Sequence, residues 1–194
     1  GDKAVALIEY LPGVSLSEPT AAQARAVGRA LAQMHIATAS FGQSRANGMA
    51  LPEWQRLAQA CGPDGLASID PGLAARVESE LALLAKAWPS DLPRGVIHAD
   101  LFPDNVLMLD DRVTGLIDFY FACSDLLAYD VAVTHAAWCF DNAGHAFNPA
   151  ISAALLEGYE AVRPLSQAER AALPLLARGA ALRFTMSRAF DWLN

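Results

Sequence analysis

Residues 98–119 read HADLFPDNVLMLDDRVTGLIDF, and the fold class turns on how they are parsed. An acid, Asp100, and an amide, Asn105, interrupt a neighbourhood that is apolar on both sides, GVI before and VLML after. Two short apolar runs, 105–109 and 113–117, flank the polar Asp110, Asp111 and Arg112, which is the pattern of a β-hairpin. A two-residue loop at Asp111 and Arg112 pairs Asn105 with Asp118, and directly opposed residues project from one sheet face with Cβ atoms ~5 Å apart. An amide oxygen and a carboxylate at the open end of a hairpin are two hard donors of the kind magnesium takes beside substrate phosphates. Asp100 lies just upstream and apart from that pair, where a carboxylate can accept the proton of an attacking hydroxyl. These are the parts of phosphoryl transfer, in which the protein mainly positions groups and neutralises charge.

The rest of the chain bounds this reading. Its 194 residues suit one domain or one large lobe, and 54% apolar against 18% charged residues argues for a packed core rather than disorder. A net charge of −7 argues against a general nucleic-acid or anionic-membrane surface, so a phosphorylated ligand needs local cations or a metal. Cys61, Cys123 and Cys139 match no zinc or CxxC spacing and read as free thiols in a reducing compartment. With neither a signal sequence nor an apolar run approaching ~18 residues, the expectation is a soluble, cytoplasmic protein.

Outside the hairpin the pattern is mostly helical. Residues 4–11, AVALIEYL, have strand composition and stop at Pro12-Gly13. Thr20 and Gln23 form a capping box ahead of a helix to about Ala39, with Val27, Leu31 and Met34 on one face. A second long helix runs from Pro71 to Pro89, and three more pieces cover 126–140, 149–162 and 167 to the C-terminus. The expected class is therefore α+β: a mainly helical lobe with a strand at its start and one hairpin.

HADLFPDNVL followed by GLIDF resembles the base- and metal-bearing segments of the aminoglycoside phosphotransferase and choline kinase superfamily, whose fold is similar to that of protein kinases, and this chain resembles its large C-terminal lobe only. The stretches GLIDFYFACSDLLAYD, AWC at 137–139, GYEAVRPLSQAE at 158–169 and ALRFTMSR at 181–188 narrow the resemblance to its homoserine kinase branch. The resemblance implies ATP-dependent phosphorylation of the homoserine hydroxyl, a step of threonine biosynthesis, with ATP and Mg2+ required. It implies Asp100 as base, Asn105 and Asp118 as magnesium ligands, and His98 and Asp130 as supports of the site. LIEYLPG resembles the hinge, where backbone groups around Glu9 and Leu11 would meet the adenine edge.

Plainer readings stand beside these. His98 and His35 fit hydrogen-bonded core histidines, and Trp138, Cys139 and Phe140 fit core better than a substrate pocket. Arg183 or Arg188 could bind the homoserine carboxylate bidentately, but an internal salt bridge serves equally well. A kinase for another small hydroxyl compound, such as an aminoglycoside or amino alcohol, and a non-catalytic kinase-like binding domain are the competing functions. The chain has only two lysines, Lys3 and Lys86, neither in the setting that pairs with nucleotide phosphates, and it has no Gly-rich phosphate loop. The expectation is that residues 1–13 form the hinge strand and linker to a missing N-terminal lobe and 14–194 the large lobe. By itself such a chain would turn over little, and its exposed lobe surface favours self-association.

Overall fold

The computed structural model describes residues 9–141, 144 and 146–194. Six helices and four short strands make up these residues: α1 (Ala21–Ala37), α2 (Leu51–Ile69), α3 (Leu73–Ala87), β1 (Arg94–Ile97), β2 (Val106–Leu109), β3 (Arg112–Leu116), β4 (Cys123–Leu126), α4 (Leu127–Trp138), α5 (Pro149–Glu160) and α6 (Gln167–Leu193). The α+β class and the helical dominance are as the sequence indicates. Most of the strand read over 4–11 falls outside the described residues; the segment after it reaches the hairpin through an antiparallel bridge, Val14 with Met108.

Capping chemistry sets the helix starts. Thr20 and Gln23 close a reciprocal box at α1, and Ser166 with Glu169 does the same at α6, each satisfying two otherwise unpaired backbone donors. α2 was not legible in the sequence, because Gly62 at φ 65° and Pro63 sit in its middle and look like a loop; the helix continues across a kink there. A second antiparallel pair, β1 with β4 from Arg94↔Leu126 to Ile97↔Cys123, is also absent from the sequence reading. Its two strands are four residues each and lie far apart in the chain, so no turn signal links them.

The hairpin differs from its expected register. Leu109 pairs with Arg112, so the two-residue loop is Asp110-Asp111 rather than Asp111-Arg112. Asp110 takes φ 53°, a left-handed conformation that Asp tolerates far better than most residues. Between Leu107 and Met108 the register shifts by one, leaving Thr114 as the extra residue of a bulge, and its Oγ1 donates to Leu107 O at 3.1 Å. Val106 then opposes Leu116, and the backbone partner of Asn105 is Ile117, whose N–H donates to Asn105 O at 3.0 Å. Asn105 and Asp118 are therefore near neighbours at the open end but not directly opposed.

α4 divides the interior. Ala128, Tyr129, Ala132 and Val133 face a core built from α2, α3 and α6 around Trp54, Leu84, Leu176 and Met186. Val131 and Trp138 face a second core of α1, α5 and the hairpin around Leu31, Met108, Leu155 and Tyr159. A helix that is apolar on both sides has no solvent face, and nine of its twelve residues are buried, which makes its one buried carboxylate, Asp130, conspicuous. Cys123 and Cys139 are buried and Cys61 half-buried, all as free thiols; burial pushes Cys123 up to about 11 and Cys139 up to about 12.

The second core depends on α1 and α5 touching backbone to backbone. A Cβ on Gly158 would collide with the Arg25 carbonyl, and one on Gly28 with the Leu155 carbonyl. Neither clash can be relieved by a rotamer change. Gly158→Ala should cost about 3 kcal/mol, the upper end for overpacking, and lower Tm by roughly 6–12 °C for a chain of this size. Gly48→Ala, where the added methyl meets nothing within 4 Å, is the control. Equal melting temperatures for the two variants in a thermal denaturation series would disprove the close crossing.

Candidate active site

The loop from His98 to Asn105 leaves β1 and enters the hairpin without a strand partner for its own backbone. Side chains from two other elements, α4 and α6, take up its polar groups instead. Asp130, in the first turn of α4, accepts from His98 N–H at 2.7 Å through Oδ2 and from Ala99 N–H at 2.8 Å through Oδ1. Trp138 Nε1, at the end of the same helix, donates to Leu101 O at 2.8 Å. Arg183 of α6 donates to Ala99 O. Asn105 closes the loop on itself, its Nδ2 donating to Asp100 O at 2.8 Å. Ala99 is thereby held at φ 64°, a left-handed conformation that costs an L-residue roughly 1–2 kcal/mol and persists only where neighbours impose it.

Asp100 emerges from this clamp partly exposed, with its side chain 21% accessible. Arg183 Nη2 lies 3.4 Å from Asp100 Oδ1, while the Arg183 side chain itself is buried between Phe121 and Phe184, with its guanidinium carbon 5.4 and 5.0 Å from their ring centres. Burial raises the Asp100 carboxyl above its ordinary range; Arg183 and His98 oppose the rise, and the charges of Asp118 and Asp104 add to it. Of the two roles open to Arg183 in the sequence, the internal ion pair is present: its guanidinium donates to the Ala99 carbonyl and faces Asp100, and its side chain is buried.

His98 is fully buried. Its Nε2 donates to Ile117 O at 2.9 Å, tying the loop to the residue before Asp118, and its ring packs against Phe119 at 4.6 Å. Asp118 follows at φ 59°, ψ 61°, a left-handed turn into the short 3-10 segment Phe119–Phe121. That turn lifts its carboxylate out of the strand, and among the described residues none hydrogen-bonds it. With Nδ2 of Asn105 committed to Asp100 O, the amide's Oδ1 is left as an acceptor.

These two oxygens fit a small hard cation. Among the described residues no group of three or more His, Cys, Asp or Glu could hold a metal unaided, so a cation here would complete its shell with water or ligand oxygens, the habit of magnesium beside phosphates. The hinge candidates lie along the same hairpin. Val14 N–H donates to Met108 O at 3.0 Å and Met108 N–H to Val14 O at 2.9 Å, and Leu11 packs over Gly115, three residues ahead of Asp118. Glu9 is exposed and Leu11 half-buried.

Behind the loop runs a buried polar chain that the sequence reading left as structure or did not notice. His35 Nε2 donates to Asp130 Oδ2 at 3.0 Å and its Nδ1 meets Tyr159 Oη at 2.8 Å. Arg163 donates to Tyr159 Oη at 3.1 Å and to Glu169 at 2.8 Å. One pattern satisfies every atom: Arg163 to Tyr159, Tyr159 to a neutral His35, His35 to Asp130. Burial alone would raise the Asp130 carboxyl, but hydrogen bonds from His35 and the His98 and Ala99 amides hold it below the usual range. Local motifs offer no sign of this chain, since its members are contributed by α1, α4, α5, the turn after α5 and the first turn of α6.

Arg188, one turn and a half further along α6, takes no part in the clamp. It is exposed, stacks over Phe102 at 5.9 Å and Phe184 at 5.7 Å, and lines a cavity of about 410 Å³ with Asp104, Ala136 and Phe140.

The phosphotransferase enzyme family profile matches residues 1–165. Homoserine kinases of Xanthobacter autotrophicus and Azorhizobium caulinodans are 56% identical to this chain and that of Brucella ovis 52%, each over 97% of it. The chain spans 57–58% of the length of these relatives. Among solved structures, an aminoglycoside-3'-phosphotransferase of type VIII superposes with a TM-score of 0.64 at 27% identity, covering 88% of this chain and 67% of that one. Choline kinase from Cryptosporidium parvum Iowa II, at 13% identity, shares the fold with a TM-score of 0.67 over 94% of this chain and 64% of its own.

The clamp makes a pH prediction. Because the folded-state Asp130 carboxyl titrates below its unfolded value of ~3.9, its contribution is complete above that value and fades as pH falls through the folded one. Asp130→Asn should cost about 3 kcal/mol near neutral pH, as expected for breaking a buried charged network, and should flatten the loss of stability below about pH 4. Melting curves of both proteins from pH 7 to pH 3 check this; parallel profiles would remove Asp130 as the source.

Proposed function

This chain belongs to the phosphotransferase enzyme family, and we propose that it carries the acceptor side of an ATP-dependent kinase for L-homoserine, acting in threonine biosynthesis in the cytoplasm. The observation that carries the proposal is the conjunction of a clamped, partly exposed Asp100 with two oxygen donors, Asn105 and Asp118, at one end of the hairpin. The 52–56% identity to homoserine kinases favours homoserine over an aminoglycoside or an amino alcohol.

In this reading Asp100 receives the proton of the attacking hydroxyl. Arg183 positions the base: it fixes the Ala99 carbonyl and one carboxylate oxygen of Asp100, leaving the other oxygen toward the acceptor. Asn105 and Asp118 would hold Mg2+, which when bound supplies positive charge against the phosphates. His98 links the two halves, because one ring joins the base loop to the residue before Asp118. The hinge backbone near Glu9 and Leu11 would face the adenine. The division into a hinge with linker over 1–13 and a large lobe over 14–194 belongs to the same proposal, as does the low turnover of the lobe by itself, since the nucleotide's phosphates need cover from more than this hairpin.

ADP release by the intact protein with Mg-ATP should proceed with homoserine and not with choline or kanamycin. Asp100→Asn should lower kcat by about 10²–10⁴-fold, the usual worth of a general base, with little change in KM. For the chain itself, Asp118→Asn should abolish a calorimetric Mg2+ or Mn2+ titration seen with the native sequence. A scaffold without chemistry would show neither metal binding nor turnover.

A further inference from the structure

We propose that Arg188 and Asp104 form a zwitterion-reading subsite, in which the guanidinium takes the α-carboxylate and the Asp104 carboxylate takes the α-ammonium of a small hydroxy amino acid. The inference rests on the kinase reading above and deepens it, by assigning the two charges that tell an amino acid from an amino alcohol.

Four observations converge on it. First, α6 brings two arginines to the site, and Arg183 is excluded because it is buried against Ala99 and Asp100. Second, Arg188 has no hydrogen-bond or ion-pair partner among the described residues and is held only by its stacking on Phe102 and Phe184. A guanidinium that lies over aromatic rings and makes no hydrogen bond among the described residues keeps its N–H donors for a planar anion, which it can take bidentately. Third, Asp104 stands four residues past the base, in the short 3-10 segment Pro103–Asn105; it is exposed, lacks a side-chain hydrogen bond among the described residues, and lines the same cavity as Arg188. Fourth, Phe102, Ala136, Phe140 and Phe184 offer apolar surface to a short methylene chain, and the charged groups of the lining are Arg188 and two carboxylates, Asp104 and Asp141.

The cavity's volume, about 410 Å³, is at the small end of ligand sites. A guanidinium and carboxylates lining one small pocket suit a zwitterion better than a simple anion. The amino and carboxylate groups of homoserine share one carbon, and its hydroxyl is two methylenes away. Anchoring the charged end at Arg188 and Asp104 lets the flexible end reach back along the loop to Asp100.

Two truncated ligands separate the contacts. 3-Amino-1-propanol keeps the amine and hydroxyl but lacks the carboxylate; 4-hydroxybutanoate lacks the amine. Binding of each to the intact protein is measured as inhibition of homoserine phosphorylation and by calorimetry. Arg188→Met should raise KM for homoserine about 10- to 100-fold, the usual range for a lost charge-assisted hydrogen bond, yet leave the affinity for 3-amino-1-propanol within about two-fold. Asp104→Asn should weaken homoserine in the same way and leave 4-hydroxybutanoate unaffected. Arg188→Lys should recover only part of the loss, since an ammonium cannot chelate. If Arg188→Met weakens both truncated ligands alike, or leaves homoserine unchanged, the subsite is wrong while the kinase reading survives. Native protein that binds homoserine with the predicted variant pattern but never phosphorylates it retains the subsite and overturns the kinase reading. Native protein that neither binds nor phosphorylates homoserine overturns both.

Discussion

The structure depends on a buried carboxylate with no freedom to move. Asp130 is wholly inaccessible, yet it remains charged because three donors, two of them backbone amides, converge on its two oxygens. A loop that turns through a left-handed alanine cannot complete a sheet ladder, and its unpaired amides would otherwise be buried at a cost of about 1–3 kcal/mol each. The carboxylate and the loop solve each other's problem: the amides stabilise the charge, and the charge fixes the amides. Asp100 inherits its position from this exchange, since it directly follows the second clamped residue.

That solution constrains the helices around it. Asp130 sits where α4 passes between two cores, so the packing of both cores fixes the position of the loop. The polar chain through His35, Tyr159 and Arg163 to Glu169 extends the clamp from α4 across α1 to the start of α6. Each link is a hydrogen bond between groups that burial makes expensive to leave unmatched, so loosening one end is felt at the other. The glycine crossing of α1 on α5 brings His35 and Tyr159 within reach of each other. In this sense Gly28 and Gly158, which carry no chemistry, help decide where the proposed base points.

How much of this was legible depended on how local each signal is. The hairpin, the capping boxes and five of the six helices are written in adjacent residues, as periodicity, turn chemistry and caps. The register was off by one, because the left-handed turn falls on Asp110 and the ladder absorbs a residue at Thr114, and neither cost can be judged from composition. α2 was hidden by Gly62-Pro63, where tertiary packing carries a helix across a local breaker. Asp100, Asn105 and Asp118 stood out because polar groups in an apolar stretch need a reason. His35 offered no such contrast: its role as a brace exists only through Asp130, 95 positions away. The β1–β4 pairing and the Trp138 bond to Leu101 were illegible for the same reason.

Two of the four arginines of α6, Arg183 and Arg188, show how one helix can place the same residue type in two environments. Side chains five positions apart on an α-helix diverge by about 140°, so Arg183 and Arg188 point to different surroundings and meet only across one ring. Phe184 lies against both, 5.0 Å from one guanidinium carbon and 5.7 Å from the other. A ring between two cations attracts each through its electron-rich faces and excludes the water that would let the inner one drift outward. The inner arginine is then able to neutralise an acid in a dry environment, which an exposed one does weakly. The outer arginine keeps its hydration and remains exchangeable, the property needed by a group that must release a ligand after each turnover. Burial, rather than residue type, distinguishes a permanent partner of the base from a candidate reader of substrate.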